Sequence, residues 1–398
     1  MQPFEFFNPV RIVFGPGQLQ CVGREAAKLG RKALVVTYKD ERPLAAVLQR
    51  VCTLLETAGV TAVPFCGITA NPTLAQVRSG IEACKACAAD LVIGLGGGSA
   101  MDAAKVIAAG VRYAGDPWSM IVTRHDQVAA VPPTEALPLL MVPTLPATSS
   151  EMNCGAVLTN EETAEKSYVF AACLYPKVSI LDPVLTCSLP AYQTACGAAD
   201  AISHVMESYL NAPDDTPLQD RIMEGVMLTT MENVGKALGE PENVAARAHL
   251  QWAAVVAWNG WAQAGADGWA PMHQLGHVLS ARHGVTHGAS LAIIMCAWMK
   301  LLHGHRPDRY VQWAQRVFRI GVEGRPAGEV ANEAIARFEA FLRSIGVPTR
   351  LSDVGVSAAD IDPMTDDVVR ISFGPDGRLR SRPSLGRDEI KCIYELAQ

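Results

Sequence analysis

Over the first 180 or so positions, apolar residues fall in short unbroken blocks separated by stretches of helical spacing. Residues 10–14, 33–37, 60–65, 91–95 and 139–142 read as strands, while residues 18–29, 43–58, 73–89 and 99–109 repeat apolar positions at intervals of three and four. Strands that are apolar throughout, rather than at every second residue, belong to a parallel sheet covered on both faces. In such a sheet a ligand sits beyond the carboxyl ends of the strands. After Leu181 the pattern changes: DPVLTCSLP supplies two prolines and a capping aspartate, and residues 190–210, 218–238, 244–263, 287–302, 309–320 and 327–344 carry helical period. The expectation is an α/β N-terminal domain with a parallel sheet and a Rossmann-like nucleotide site over residues 1–183, followed by an all-α domain over 184–398. The Gly/Pro-rich stretches near Gly324 and Gly374 read as loops.

Composition excludes several function classes. With 398 residues, 49% of them apolar, there is core for two domains, and a net charge of −6 without a dense Lys/Arg block argues against nucleic acid or an anionic membrane surface. The opening MQPFEFFNPVRIVFG lacks the basic start and apolar core of a signal peptide, and the longest late apolar run ends at Lys300 after about nine residues. Eleven scattered cysteines suit a reducing, cytoplasmic setting better than a disulfide framework. Cys84 and Cys87 form a lone CxxC inside a helical pattern, which is ordinary packing.

Two stretches carry chemistry. Leu91 to Lys105, LVIGLGGGSAMDAAK, is a buried strand, a glycine loop and a helix start in succession. Gly96, Gly97 and Gly98 let backbone approach an anion, and Ser99 and the free N–H groups of the helix point at it, which makes a phosphate cradle. A second polar loop, PTLPATSS at 143–150, follows another strand at the same sheet edge, where Thr144, Thr148 and Ser149 are placed to bond a ribose or phosphate or to cap the next turn. The other stretch packs four of the nine histidines into residues 273–287. His273 and His277 are one helical turn apart, and Asp200 and His204 repeat that spacing on another predicted helix. A carboxylate and imidazoles at one-turn intervals can share a divalent ion, ferrous iron or zinc, with a position open to substrate.

The same residues are similar to the iron-containing (group III) alcohol dehydrogenases. The likeness runs nearly the whole length, through FNPVRIVFGPG, NPT at 71–73, GGGSAMDAAK, VPTLPATSSEMN, YPKVSILDP, GAADAISHVMESY, HQLGH and HGVTHG. It resembles most the branch holding butanol dehydrogenases and NADPH-dependent aldehyde reductases. The resemblance implies metal ligation by Asp200, His204, His273 and His287. It puts His277 beside nicotinamide and substrate, as a proton relay or an orienting group, and gives His283 no role. It implies cofactor contacts at Gly97, Gly98, Ser99, Asp102, Asn71, Thr144, Thr148 and Lys166, and a homodimer. NAD-preferring relatives often carry an aspartate where this chain has Tyr38, followed by Lys39, Asp40, Glu41 and Arg42. The absence of that aspartate permits NADP, with Lys39 or Arg42 pairing its phosphate, so NADP is expected with NAD possible; Asp40 or Glu41 would instead take the ribose. The implied reaction is reversible hydride transfer between a primary alcohol and its aldehyde. The rival readings are a dehydroquinate synthase-like lyase, which needs several Lys/Arg groups near its substrate, and a non-catalytic metal- or nucleotide-binding protein. Trp252, Trp258, Trp261 and Trp269 flank the site helices, as core packing or as walls of a substrate pocket.

Overall fold

The computed structural model describes residues 1–40, 44–122, 129–213, 215–266, 268 and 270–398. The first half alternates strands and helices: β1 (Arg11–Phe14), α1 (Val22–Ala26), β2 (Lys32–Tyr38), α2 (Ala45–Thr57), β3 (Thr61–Ile68), α3 (Leu74–Ala86), β4 (Leu91–Gly96), α4 (Gly98–Gly110) and β5 (Leu139–Pro143). An antiparallel hairpin, β6 (Gly155–Asn160) with β7 (Glu165–Phe170), follows, and β8 (Val178–Leu181) closes this half. β1, β8, β5, β4, β2 and β3 form, in that order, one parallel sheet. Separate apolar clusters cover its two faces, one led by α3 and α4 residues such as Val77 and Ile107, the other by Val22, Val51 and Leu55 of α1 and α2. Burial on both faces is what makes β4 and β5 apolar at every position.

The chain steps from β2 outward to β3 and then back past β2 to β4, so the strand order reverses between β2 and β4. A crevice opens there, at the carboxyl ends beyond Tyr38 and Gly96.

The second half is helical: α5 (Ala191–Tyr209), α6 (Pro217–Gly239), α7 (Val244–Ala257), α8 (Met272–His283), α9 (His287–Leu302), α10 (Pro307–Phe318), α11 (Ala327–Ser344), α12 (Ile361–Ser372) and α13 (Arg387–Leu396). Its only β features among the described residues are isolated bridges joining Phe373, Leu379 and Leu385, around the expected loop at Gly374. A continuous core buries α9 almost completely. Beneath it Arg309 forks onto Asp220 at 2.7 Å and onto the Tyr209 carbonyl, fixing α10 and α6 to the end of α5.

The structure shortens one expected helix and adds features to the rest. The sheet has a sixth strand, β8, and the α/β half carries the β6–β7 hairpin. α7 ends at Ala257 rather than continuing to 263, because Trp258 leaves helical geometry, Gly260 turns the chain at φ 86, and the Gln263 side chain donates to the Ala257 carbonyl. α12 and α13 extend the helical half beyond residue 344. The N-terminal arm also crosses to that half: the Gln2 N–H donates to the Gly265 carbonyl, and the Asn8 amide donates to the carbonyls of Met152 and Asn259.

Candidate metal centre and cofactor cleft

α5 is apolar except for one face, on which Asp200, His204 and Glu207 follow at one-turn intervals. α8 brings His273 in its first turn and His277 one turn later, and α9 opens with His287. α9 can approach α5 because Gly288 follows His287: a Cβ there would sit 2.0 Å from the Cys196 carbonyl oxygen. The sequence thus spends a glycine to seat an imidazole against the acidic helix.

The Nε2 atoms of His204, His273 and His287 stand 3.9, 3.8 and 3.6 Å from Asp200 Oδ1, each beyond hydrogen-bond range. Asp200, His204 and His273 offer ligand atoms within 4.8 Å of one another, and His287 joins through its own approach to Asp200. Both Asp200 oxygens and His273 Nε2 are buried without a hydrogen-bond partner. Orphaned buried polar atoms cost about 1–3 kcal/mol each, and one cation shared by these three would satisfy them together. One oxygen and three imidazole nitrogens fit ferrous iron or zinc.

The electrostatics agree. Burial pushes the Asp200 carboxyl up to about 7, against the lowering influence of His273 and Lys166. Burial likewise holds His204, His277 and His287 well below the usual histidine value, so these rings are neutral ligands or acceptors. At His273 burial works in the same direction but is outweighed by Glu207, whose carboxylate raises the value. Glu207 Oε1 accepts from the His273 backbone N–H at 2.9 Å and Oε2 pairs with His273 Nδ1 at 2.8 Å. Sequence reasoning missed Glu207. The signal available was its place three residues after His204, on the face that already carried Asp200.

One cavity of about 770 Å³ joins this centre to the glycine loop. Of the expected cofactor and metal residues, Tyr38, Asn71, Gly97, Gly98, Ser99, Asp102, Thr144, Thr148 and Lys166 line it from the sheet half, and Asp200, His204, His273, His277 and His287 from the helical half. Their local roles differ. Tyr38 packs over the glycine loop, its hydroxyl accepting from the Gly97 N–H at 3.1 Å. Asp102 is already engaged, with Oδ1 taking the Ser150 hydroxyl at 2.6 Å and Oδ2 the Val157 N–H at 2.9 Å. Lys166 is buried, which pushes it down to about 8, and donates to Asn71 Oδ1 at 2.9 Å. Ser149 turns away from the cavity, donating to the Val255 carbonyl at 2.8 Å, so it ties the loop to α7 instead of meeting a ligand. Asp40 lines the cavity and the exposed Lys39 does not, while Glu41 and Arg42 lie outside the described residues. Trp258 lines the cavity and stacks on His204 with centroids 5.4 Å apart; Trp252 and Trp261 are exposed, and Trp269 lies outside the described residues. Cys196 also lines the cavity, whereas Cys84 and Cys87 are free thiols on and just after α3.

Comparison with known proteins gives a consistent result. Residues 9–183 match the family model for iron-containing alcohol dehydrogenase, and residues 194–395 match that of the C-terminal part of the Fe-containing alcohol dehydrogenase family. The chain is 35% identical to NADH-dependent butanol dehydrogenase A of Clostridium acetobutylicum, over 96% of each chain. It is 36% identical to the NADPH-dependent aldehyde reductase YqhD of Escherichia coli, over 100% of each. The crystal structure of NADH-dependent butanol dehydrogenase A from Thermotoga maritima superposes with a TM-score of 0.92 at 36% identity, covering 100% of this chain and 99% of that one. With the two family models spanning nearly all of its residues and relatives at 35% and 36% identity over their whole length, the chain belongs to the iron-containing alcohol dehydrogenase family.

Proposed function

We propose that this protein interconverts primary alcohols and aldehydes with NAD(P)H, using a divalent metal held by Asp200, His204, His273 and His287. The carrying observation is that the metal-ligand cluster and the glycine loop open into the same cavity. Residues 1–183 would bind the cofactor and residues 184–398 the metal, so neither unit suffices alone. A cation held by Asp200, His204, His273 and His287 would supply Lewis-acid polarisation of the substrate oxygen, and a nicotinamide held over Gly97, Gly98 and Ser99 would supply or accept the hydride.

The chain's own part is placement and proton handling. Gly97, Gly98 and Ser99 present the N-terminus of α4 to a pyrophosphate, with the Thr144 and Thr148 hydroxyls on the facing loop. Oxidation of an alcohol to an aldehyde with NAD(P)⁺ releases one proton besides the hydride. His277 Nε2, buried and without a partner, is the atom assigned to take it, and the same atom returns it in reduction. Trp258, stacked on His204, excludes water from one side.

Asp40 on the cavity wall gives the ribose end of the site a carboxylate, which disfavours a 2′-phosphate. That pulls against the preference for NADP read from Tyr38, and we place NADH ahead of NADPH. Among the described lining residues Lys166 is the sole Lys or Arg, so nothing grips the multiply charged substrate of a lyase.

A second copy of the chain is the proposed partner. β1 is an edge strand, and Phe14 on it meets Trp252 edge-on at 5.6 Å, while Phe6 lies near Gly260 beside the exposed Trp261. An exposed strand edge flanked by aromatics suits isologous pairing. We place the protein in the cytoplasm: among the described residues no helix is long and apolar enough to cross a membrane, and no disulfide joins any of the eleven cysteines.

An aldehyde panel run with NADH and with NADPH, on protein stripped of metal and reloaded with Fe²⁺ or Zn²⁺, tests the reading. Butanal reduction that needs the metal and runs faster with NADH is expected; no reduction of any aldehyde with either cofactor would refute it. Light scattering in solution should give twice the chain mass, and a monomer would overturn the partner assignment.

A further inference from the structure

Glu207 is 1% exposed, and both its oxygens are committed to a single residue, His273. His273 sits in the first turn of α8, where a backbone N–H has no intrahelical acceptor, and Oε1 fills that role. Oε2 takes the ring. With Oε1 already accepting the backbone N–H, a carboxylate that accepts at both oxygens makes His273 Nδ1 the donor to Oε2. The neutral ring then carries its lone pair on Nε2, the atom that stands 3.8 Å from Asp200 and has no hydrogen-bond partner.

The other ligand rings lack such a brace. Nδ1 of His204 and Nδ1 of His287 are both buried without a partner. Among the described residues a charged group holds the far nitrogen of His273, and none holds that of His204 or His287. α5 thus supplies Asp200 and His204 as ligands and, from the next turn of the same face, the group that orients a ligand on α8.

We infer that Glu207 is a positioning residue of the metal centre: by taking the backbone N–H and Nδ1–H of His273 together, it fixes the tautomer and ring direction that turn Nε2 toward Asp200. The inference rests on the metal reading given above. A carboxylate bonded to a ligating histidine contributes about 10–100-fold in metal affinity.

Glu207→Gln is the discriminating substitution, because it keeps the shape but replaces one acceptor by an NH₂ donor. With the amide oxygen still on the backbone N–H, the NH₂ faces Nδ1 and selects the tautomer protonated on Nε2, which cannot ligate. Zn²⁺ titrated into stripped full-length protein against a competing chelator should bind about 10–100-fold more weakly to Glu207→Gln than to the parent. Glu207→Asp, which remains acceptor-only, should recover part of the loss. NADH binding by fluorescence and the unfolding temperature of the stripped protein should not move. Independently of any variant, long-range proton–nitrogen spectra of the parent should show His273 protonated on Nδ1. Parent-like Zn²⁺ affinity in Glu207→Gln, or a His273 ring protonated on Nε2 in the parent, overturns the inference. A parent that binds no Zn²⁺ or Fe²⁺ at all overturns the metal reading itself, and this inference with it.

Discussion

Gly98 is the position where the cofactor cradle can be tested by volume alone. A Cβ built there would lie 2.5 Å from Thr148 Cγ2 and 2.7 Å from Thr148 Oγ1, with Thr148 Cβ next at 3.2 Å. Ordinary contact is about 3.4–4.0 Å, so Thr148 would have to retreat by about 1 Å. It is poorly placed to do so, because its Oγ1 accepts from the Ser150 N–H at 3.2 Å, its carbonyl accepts from the Asn153 amide, and the adjoining Ser149 is anchored to Val255. Overpacking at such a site costs about 1–3 kcal/mol. Both loops face the cofactor cavity, so the strain should appear in cofactor binding: about 2 kcal/mol, or about 30-fold weaker NADH affinity for Gly98→Ala. Thr148→Ala removes the two clashing atoms and leaves the contact at 3.2 Å, so the double variant should bind better than the sum of the single losses predicts. Fluorescence titration of NADH into the parent, both single variants and the double variant measures this coupling. Parent-like affinity in Gly98→Ala, or strictly additive losses, would refute the assignment of these two loops as facing walls of the cofactor site.

Tyr38→Phe removes the acceptor of the Gly97 N–H and should weaken NADH binding about fivefold, for a hydrogen bond of about 1 kcal/mol, with metal affinity unchanged in the same preparation. Asp40→Ala should raise the NADPH-to-NADH ratio of kcat/KM, and an unchanged ratio would remove Asp40 from cofactor discrimination. Glu151 is buried under the sheet edge, and burial pushes it up to about 7, with nearby Lys105 opposing. Its folded value lies above the unfolded one, so its contribution is fully present below the ordinary glutamate pKa and is lost as pH rises through about 7. Glu151→Gln should therefore flatten the fall in unfolding temperature between about pH 5 and 8, a difference of about 3 kcal/mol at the upper end, measured by thermal melts across that range.

Which parts of this architecture can be read from sequence follows from what each segment buries. β2, β4 and β5 are buried on both faces and therefore apolar without interruption, and they stand out, as does the glycine loop that follows β4. Asp200, His204, His273 and His277 show through because titratable residues at one-turn spacing are visible on any helix. The β6–β7 hairpin does not, because it buries Thr159, Asn160, Glu165, Lys166 and Ser167 and so breaks the alternation that marks a strand. β8 has only four residues, and its parallel partners β1 and β5 lie far off along the chain. α12 and α13 are short and rich in Asp, Arg and Glu, and their apolar stripes acquire meaning only against α8 and α9. Ser149 on its loop reads as a ribose or phosphate contact or a cap, and Tyr38 at the end of β2 as the residue that stands where an aspartate would meet the ribose. Their hydroxyls are directed by tertiary neighbours, Val255 and Gly97, that no local pattern reveals. Glu207 is the same case at the metal centre: its helix face was legible, its partner on α8 was not.

If turnover depends on a metal held at Asp200, Asp200→Asn should abolish both ion and activity. The substitution preserves shape but removes the negative charge on which three imidazole nitrogens converge at 3.6–3.9 Å. Metal content by elemental analysis and NADH-dependent butanal reduction should be measured together, in parent and variant, after stripping and after reloading with Fe²⁺ or Zn²⁺. The parent should regain a stoichiometric ion and its turnover, while the variant should regain neither and still bind NADH. Turnover by the stripped parent, or a reloaded variant that recovers both ion and activity, would contradict that dependence on the metal.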